Sequence, residues 1–474
     1  MNMPSSRWNH RKHLNKISLR STVIAACLIL AAPRGTSQTT HSSVLQACDA
    51  STYSGADAGA KINAAEADAN CEIVDASKFK KPAAAATVKV PKPLILGAYT
   101  LTTSGDPGLL LGTHSRLEGQ GRNYTVVTTT SSTADIIKLP AGANYSYVGG
   151  LTIQSSVERE GGAGLHVQGG NSLFREILIN PVWNGIVLDV ASSAGNDEFE
   201  SIQISSGVGG LPGQGSGKAW NCGIRNGGVS KGTVASNSFS HIKVVSTGPP
   251  FHDAMVCILD GSDSITFSDS QFVANVGGSD AVAVHFERIA NGNAPSWIKF
   301  TGSYFESGLS KNAIIIDSVL TVDFNDCFQA SSLRGMLVNA GTRVAWQGGQ
   351  FYNNRQEAVR LNAVEDFALS GARIGNNSQE SANTYDDVFV SGGVSTFKIT
   401  DNTFKAILST KTLPKWNIGI APGASDHYVV TGNIMPGFAL TGSFSDGGTG
   451  PHKMICNPTS GGCELKISPG SQAR

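Results

Sequence analysis

Two aspartates, Asp253 and Asp280, each stand directly before a short apolar strand in neighbouring copies of a repeat, and each has a histidine near it, His252 and His285. If such strands stack in parallel, the two carboxylates lie about 5 Å apart. Mutual repulsion then separates their pKa values, so that one carboxyl donates a proton while the other activates water. We predict these four residues as candidate catalytic residues. The alternative is that both aspartates cap tight turns.

A second set of acids closes the same strands: Asp260, Glu287 and Asp317. Stacked carboxylates repel one another unless solvent or a bound cation compensates their charge. Oxygen ligands of this kind are the ones that Ca²⁺ prefers. The column is therefore a candidate Ca²⁺ site. The alternative is a row of solvated turn carboxylates that bond to nearby backbone.

Two further surfaces offer contacts to a substrate. Arg360 points outward from the same family of strands and is a candidate ligand for an acidic group. A separate face carries Tyr304, Glu306, Tyr352 and Arg373, which suit stacking and hydrogen bonding to sugar rings. The same residue types also suit any solvated sheet.

These positions are set by a loose repeat that runs from about Phe174 to Val430. Most copies read as an apolar residue, a Gly or Asp turn and a second apolar residue, as in Phe267-Ser268-Asp269-Ser270-Gln271-Phe272. About halfway through a copy comes another short strand, such as Ala313–Asp317. Strands of period two with turn residues between them, repeated at this length, predict an all-β solenoid rather than helices. An antiparallel sandwich is the alternative.

The copies that begin at Phe267, Phe300, Ile399 and Val430 resemble coils of the right-handed parallel β-helix of pectate lyases, polygalacturonases and phage tailspikes. The resemblance covers about 90 to 440 and implies a pectin-lyase-like solenoid. It implies no single activity, because such helices host lyases, hydrolases, epimerases and adhesins. Asp57–Ala69 resembles the short N-terminal capping helix of this superfamily, with Asp57 as its N-cap.

Some activity motifs of the superfamily are incomplete in this chain. Tyr385-Asp386-Asp387 is similar to the Gly-Asp-Asp motif of polygalacturonases, but no Asn-x-Asp, Gly-His-Gly or Arg-Ile-Lys accompanies it. The resembled pectate lyases use Ca²⁺ to bridge enzyme carboxylates and an acidic sugar, which agrees with the candidate Ca²⁺ column.

The N-terminal segment predicts export. Residues 1–38 contain six basic residues and no acidic residue, and Ser21–Ala32 is an apolar run too short to span a bilayer. Removing this signal peptide leaves 30 basic against 36 acidic residues, a net charge of −6. That charge argues against a nucleic-acid partner, and no later segment suggests a membrane span.

Export permits disulfides, and we expect Cys48 to pair with Cys71 and Cys456 with Cys463, near the two ends of the solenoid. Cys222 and Cys257 either pair or pack, and Cys327 is expected as a buried thiol. The expected organisation is a signal peptide at 1–38, an N-terminal cap at 39–90, a β-helix at 91–440 and a C-terminal cap or tail at 441–474.

The sequence thus predicts a secreted, polysaccharide-directed β-helix protein, a lyase or hydrolase acting on an acidic or plant-type glycan. The alternative is a non-catalytic surface or adhesin module that binds glycan or is structural. The long face of a solenoid suits a linear polymer in either case.

Overall fold

The computed structural model describes residues 46–80, 83–180, 182–189, 194–206, 221–228, 232–247, 250–274, 280–288, 293–405, 412–423, 427–448, 452–459 and 462–463. The predicted signal peptide lies outside these residues. Among the described residues, no helix has the length and apolar character needed to cross a membrane.

The chain is a right-handed parallel β-helix of about 14 turns, which confirms the predicted fold. Each turn adds one strand to each of three parallel sheets, here called A, B and C, so that residues of successive turns stack in columns. The apolar side chains alternate inward because strand side chains have a period of two.

Sheet A contains the strands that begin each copy of the repeat. They are Ala47–Asp49, Ile73–Ala76, Pro93–Leu96, Arg116–Glu118, Tyr147–Ser155, Leu173–Ile179, Glu198–Glu200, Ser238–Ser240, Thr266–Ser268, Ile298–Thr301, Thr321–Asn325, Arg343–Gln347, Val359–Ser370, Val388–Thr400, His427–Thr431 and His452–Cys456. Parallel pairing therefore begins before residue 90 and continues past residue 440, the boundaries expected for the solenoid.

Sheet B follows sheet A after a tight turn in each coil. Its strands are Ala83–Ala85, Thr100–Thr103, Val126–Thr129, the ends of Tyr147–Ser155 and Leu173–Ile179, Gln203–Ser205, Lys243–Ser246, Gln271–Ala274, Tyr304–Gly308, Phe328–Ser332, Gln350–Tyr352, Arg373–Gly375 and Thr403–Phe404. The turn into sheet B needs a positive φ, which Asp269, Gly302 and Gly348 supply. This explains the recurring Gly or Asp in the repeat.

Sheet C contains the short strands found halfway through each copy. They are Val88–Val90, Leu109–Leu111, Ile137–Leu139, Ala163–Val167, Asn184–Leu188, Cys222–Asn226, Ala254–Ile258, Val284–Phe286, Ile314–Ile316, Met336–Val338, the starts of Val359–Ser370 and Val388–Thr400, Trp416–Ile420 and Gly442–Asp446. The turn from sheet C back to sheet A forms an edge that carries a small parallel sheet of its own, Ala194–Gly195, Val234–Ala235 and Ser262–Asp263.

The core is a stack of aromatic rings along the solenoid axis. Phe199, Phe239 and Phe267 share one sheet A column, are fully or almost fully buried and stack with ring centroids 4.6 Å apart. The column continues from Phe174 at one end to Trp346 at the other. Parallel register repeats the same residue type at the same depth, so each ring packs on the next.

An α-helix, Ala58–Ala67, covers the N-terminal end, preceded by a 3₁₀ turn at Ala50–Thr52. Asp57 is its N-cap and accepts from the backbone N–H of Ala60 at 2.7 Å, as predicted. Glu66 of this helix is buried, and burial raises its pKa to about 8. At the other end, Pro458–Thr459 and Gly462–Cys463 form a short antiparallel pair.

The cysteine pairing differs from the prediction at the N-terminus. Cys48 and Cys71 are free thiols that contact each other, with the thiol of Cys71 also aimed at the backbone oxygen of Ile73 at 3.2 Å. The predicted disulfide between them is not formed in this structure. The thiol of Cys71 donates its hydrogen to the carbonyl oxygen of Ile73, two residues further along the chain.

The remaining cysteines agree better with expectation. Cys222 and Cys257 form a disulfide between adjacent turns of sheet C, and Cys327 is a buried free thiol. Cys456 is disulfide-bonded. The side chain of Cys463 lies outside the described residues, so its pairing with Cys456 stays a prediction.

Candidate functional site

The outer face of sheet C brings the polar side chains of many turns into one column. Parallel register aligns His285 with Cys257 on one side and with Ile315 on the other, and it places Arg360 three turns further along. At about 4.8 Å per turn, His285 and Arg360 are about 14 Å apart along the axis. From Lys138 to Phe389 the column contains Lys138, His166, Val187, Arg225, Cys257, His285, Ile315, Leu337, Arg360 and Phe389.

His285 is the centre of an acidic cluster on this face. Its Nε2 lies 2.7 Å from Oδ2 of Asp317, and its Nδ1 lies 3.6 Å from Oε2 of Glu287. The second oxygen of Asp317 accepts from Nδ2 of Asn339 at 2.6 Å. Asp317 therefore orients the imidazole, while Glu287 on the opposite side keeps its carboxyl group accessible. Sequence analysis assigned His285 to catalysis and the two acids to metal binding, and the structure places all three together.

The electrostatics of this cluster raise the pKa of Glu287. Burial raises the pKa of Glu287 above its ordinary value, and the carboxylates of Asp253, Asp317 and Asp260 raise it further against the opposing effect of His285. Asp253 is thus close enough to act on Glu287 through its charge. A carboxyl group with a raised pKa and a second carboxyl group near it are the components of acid–base catalysis.

The expected pair of Asp253 and Asp280 is not formed, because the two side chains bond to opposite neighbours. Asp253 accepts from the backbone N–H of Asn221 at 2.7 Å, in the preceding turn. Asp280 accepts from the backbone N–H of Ser310 at 2.9 Å and from its hydroxyl, in the following turn. Asp280 therefore holds a turn, which was the alternative reading. His252 is exposed and lies 3.4 Å from Asp253.

The proposed calcium column is also corrected by the register. Ile258 pairs with Phe286, which places Leu259 and not Asp260 beside Glu287, and Asp260 is buried. Glu287 and Asp317 remain neighbours, but both oxygens of Asp317 are taken by His285 and Asn339. In the described part of the chain, no three His, Cys, Asp or Glu side chains converge to hold a metal ion. These residues do not fit Ca²⁺.

Arg360 lies in a hydrogen-bonded row that leads away from the cluster. Its guanidinium donates to Glu357 at 2.8 Å and to Asn362 at 3.2 Å, and it lies over the ring of Phe389 at 4.8 Å. Arg334 binds the other oxygen of Glu357 at 2.7 Å. The guanidinium of Arg360 is therefore already bound by other side chains of the protein, and only one third of this side chain is exposed.

A second charged network on the same face includes two residues that sequence reasoning missed, Asp135 and Arg225. His166 lies between two carboxylates, 2.6 Å from Asp135 and 2.7 Å from Asp189, and Arg225 donates to Asp189 at 2.6 Å. Burial alone would raise the pKa of Asp189, but His166 and Arg225 lower it to about 2. The signal in the sequence was a basic residue, Arg225, in the middle of a buried strand.

The face predicted to bind sugar lies on sheet B, apart from the His285 cluster. Tyr304 and Arg373 share one outward column there, and Glu306 and Tyr352 share the next. The hydroxyl of Tyr304 donates to Glu306 at 2.6 Å. The structure therefore separates these four residues from Arg360, which lies on sheet C.

The two aspartates of the Tyr385-Asp386-Asp387 motif are buried. Asp387 is buried and accepts from the side-chain amides of Asn377 at 3.0 Å and Asn417 at 2.9 Å. Burial raises the pKa of both Asp386 and Asp387 to about 6. The motif belongs to an interior ladder of amides rather than to the surface site.

A groove of about 330 Å³ adjoins the His285 cluster along the edge between sheets C and A. Ser318 and Ala340, which line it, directly follow Asp317 and Asn339. Arg288, which follows Glu287, also lines the groove. This exposed cation forms no ion pair with any residue that the structure describes. Sequence analysis did not single out Arg288, because nothing in the chain showed that this turn borders a groove.

Comparison with known proteins gives similarity in structure only. No family model and no curated protein matches the sequence. The chain is similar to bacteriophage CBA120 tailspike protein 3, with 12% identity and a TM-score of 0.53 over 84% of this chain and 59% of that one. It is also similar to the A-module of Azotobacter vinelandii mannuronan C-5 epimerase AlgE6, with 12% identity and a TM-score of 0.42 over 85% and 97% of the two chains.

A third similar structure is the catalytic domain of a GH87 α-1,3-glucanase in complex with nigerose, with 11% identity and a TM-score of 0.44 over 82% and 67%. The chain spans about three fifths of the tailspike chains it matches. The similarity to tailspike protein 3, at a TM-score of 0.53, agrees with the fold assignment.

Proposed function

We propose that this protein is a secreted hydrolase of an acidic glycan, and that the His285 cluster on sheet C is its active site. The observation that carries the proposal is the geometry of the cluster, in which His285 lies between Asp317, 2.7 Å from its Nε2, and Glu287, 3.6 Å from its Nδ1, beside a groove lined by Arg288. A glycosidase needs a carboxyl group that protonates the leaving oxygen, and burial raises the pKa of Glu287 in the direction that suits this role.

Each residue of the cluster has a role in this reaction. Glu287 donates its proton to the glycosidic oxygen, and Asp253 is the second carboxylate, which activates water or attacks the sugar carbon. Asp317 holds His285, and His285 positions the carboxyl group of Glu287. The groove beside the cluster receives the chain of sugars, and Arg288 on its wall binds an acidic substituent.

Hydrolysis agrees with the donor set better than elimination does. A lyase must neutralise the carboxylate of the sugar beside the proton that it removes, and Ca²⁺ commonly does so in the resembled pectate lyases. In the described residues no three acidic or other ligand side chains converge here, and the register separates Asp260 from Glu287, so this set does not fit the ion. Arg288 is one cation at the edge of the groove. It suits binding of an acidic substituent more than neutralising the sugar carboxylate during elimination.

The test is a panel of neutral and acidic polysaccharides incubated with residues 39–474. A hydrolase produces reducing ends without unsaturated products, which absorb in the ultraviolet, whereas a lyase produces both in equal amounts. Glu287→Gln and Asp253→Asn should each lower turnover about 10²-fold or more. Asp280→Asn is the matched control, because Asp280 precedes the same sheet C strand that Glu287 follows but bonds to Ser310 outside the cluster. It should keep turnover if it remains folded.

Three outcomes would overturn the proposal. If Asp280→Asn loses as much turnover as Asp253→Asn while circular dichroism shows an intact fold, the active site is the predicted pair of Asp253 and Asp280. If Glu306→Gln loses turnover while Glu287→Gln keeps full turnover, the active site lies on sheet B. No product from any polymer that the protein binds leaves the non-catalytic, adhesin-like alternative.

A further inference from the structure

The edge between sheets C and A carries a second groove, of about 360 Å³, several turns towards the N-terminus. Its side walls are the amides of Asn144, Gln168, Asn171 and Asn196, and four glycines form much of its floor. Every residue that lines it is uncharged. It differs in this respect from the groove beside the His285 cluster, which contains Arg288 and Glu365.

The glycine floor is required by close packing of the turns. A Cβ on Gly170 would lie 2.5 Å from the backbone oxygen of Gly195, and a Cβ on Gly195 would collide with the backbone of Ala235. No other residue fits these positions without moving the neighbouring turn. The glycines therefore let adjacent turns pack closely here, and the polar side chains of the lining are the amides of Asn144, Gln168, Asn171 and Asn196 with the hydroxyl of Ser236.

One column of left-handed residues runs along this edge and ends in aromatic rings. His114, Tyr145, Asn171, Asn196, Ser236, Ser264 and Trp297 all have φ between 53° and 60°. Each stands three residues before the inward sheet A residue of its turn, so the seven lie in register. The left-handed conformation turns these side chains out of the coil, and six of the seven are exposed.

The rings at the N-terminal end form a platform beside the uncharged groove. His114 and Tyr145 stack with centroids 5.2 Å apart and planes 17° from parallel, and Tyr145 is 60% exposed. Tyr145 follows Asn144 of the groove wall and donates its backbone N–H to Gly170 of the floor. An exposed ring offers apolar area to the C–H face of a sugar, and amides offer donors and acceptors to its hydroxyl groups.

We infer that this groove and its His114–Tyr145 platform bind a neutral sugar unit of the same polymer that the His285 cluster cleaves. The lining of the groove offers no Lys or Arg to a uronate carboxylate, whereas it offers several amides to hydroxyl groups. The two grooves share one edge, and Trp297, 64% exposed, lies between them in the same column. The inference rests on the proposed function in that the ligand is a glycan, and it assigns the substrate as a mixed polymer with neutral and acidic sugars.

The experiment is affinity electrophoresis through gels that contain a neutral polysaccharide, an acidic homopolymer or a mixed polymer. The background is Glu287→Gln, so that turnover does not change the gel. Tyr145→Asn removes the ring and keeps a residue type that adopts the left-handed conformation, as Asn171 and Asn196 do in the same column. Tyr124→Asn is the control, because Tyr124 is 65% exposed and lies outside the groove.

We expect Tyr145→Asn to weaken retention by neutral and mixed polymers about 3- to 10-fold, the effect of losing one aromatic stacking contact. Tyr124→Asn should change nothing, and retention by the acidic homopolymer should be the same in both variants. The inference is overturned if Tyr145→Asn behaves as its parent, if both variants lose equally, or if no neutral polymer retains the protein.

The outcome is independent of catalysis. If retention depends on Tyr145 but the wild-type chain cleaves no polymer, the hydrolase proposal is refuted and sugar binding by the groove still holds. Cleavage that depends on Glu287, together with retention that ignores Tyr145, would refute the groove and leave the hydrolase.

Discussion

Replacing Asp197 by asparagine should make the protein less sensitive to alkaline pH. Asp197 is buried in a turn ladder, where its Oδ1 accepts from the backbone N–H of Ser172 at 2.9 Å. Burial raises its pKa from an ordinary 3.8 to about 7. The next turn already shows that asparagine fits, because Oδ1 of Asn237 accepts from the backbone N–H of Asp197 at 3.0 Å in the same way.

The size of the effect follows from this pKa. A carboxyl group whose pKa is raised on folding binds its proton more tightly in the folded chain, so stability is lost as pH rises from the unfolded to the folded pKa. Between pH 5 and pH 7 this covers two units at 1.36 kcal/mol each, or about 2.7 kcal/mol. Asparagine has no proton to lose. Any constant cost of its extra amide hydrogens is the same at both pH values and cancels in the comparison.

The assay is thermal unfolding of wild type and Asp197→Asn at pH 5 and pH 8, followed by far-ultraviolet circular dichroism. From pH 5 to pH 8, the melting temperature of the variant relative to that of wild type should rise by about 3 °C. The shift is small because a chain of this size has a large unfolding entropy. Asp323→Asn, a half-exposed aspartate on sheet A, is the control and should gain nothing. A difference between Asp197→Asn and wild type that is equal at pH 5 and pH 8 would refute the reasoning.

Two further predictions concern the core and the second charged network. Phe239→Ala should lower the free energy of unfolding by about 3–5 kcal/mol in a denaturant titration, because it opens a cavity between two stacked rings. In the same titration Phe328→Ala, on the outer face of sheet B, should lower it much less. Asp189→Asn should destabilise the chain most between about pH 4 and 6.5, by about 3–5 kcal/mol. Below about pH 4, Asp189 loses its charge as the pH falls towards its lowered pKa, and above 6.5, His166, whose pKa both aspartates raise, loses its proton. A melting temperature that falls equally from pH 3 to pH 9 would contradict this.

The His285 cluster shows what the sequence could predict of the site. His285, Glu287 and Asp317 were all identified as candidates because each stands at or beside the end of a short strand. Their grouping was predicted only in part, since Asp253 was paired with Asp280 and Glu287 with Asp260. The direction in which each turn carboxylate bonds depends on where the neighbouring turn presents its N–H groups, as Asn221 and Ser310 do. Local sequence does not contain that information.

The grooves were beyond the reach of sequence analysis for a similar reason. Arg288, Tyr145 and Asn196 are far apart in the chain or sit in turns of unequal length. A one-residue difference in a turn changes which side chain shares a column, as the displacement of Asp260 by Leu259 shows.

The fold itself was determined by the sequence alone. Apolar residues at period two and a Gly or Asp at a fixed offset dictate a short strand, a left-handed turn and another strand, whatever the rest of the chain does. Repetition of that unit leaves stacking as the way to bury its apolar side. Only the tertiary structure decided which outward residues meet, because the register between turns is set by the packing of rings such as Phe239 on Phe267. The chemistry of the surface follows from that register.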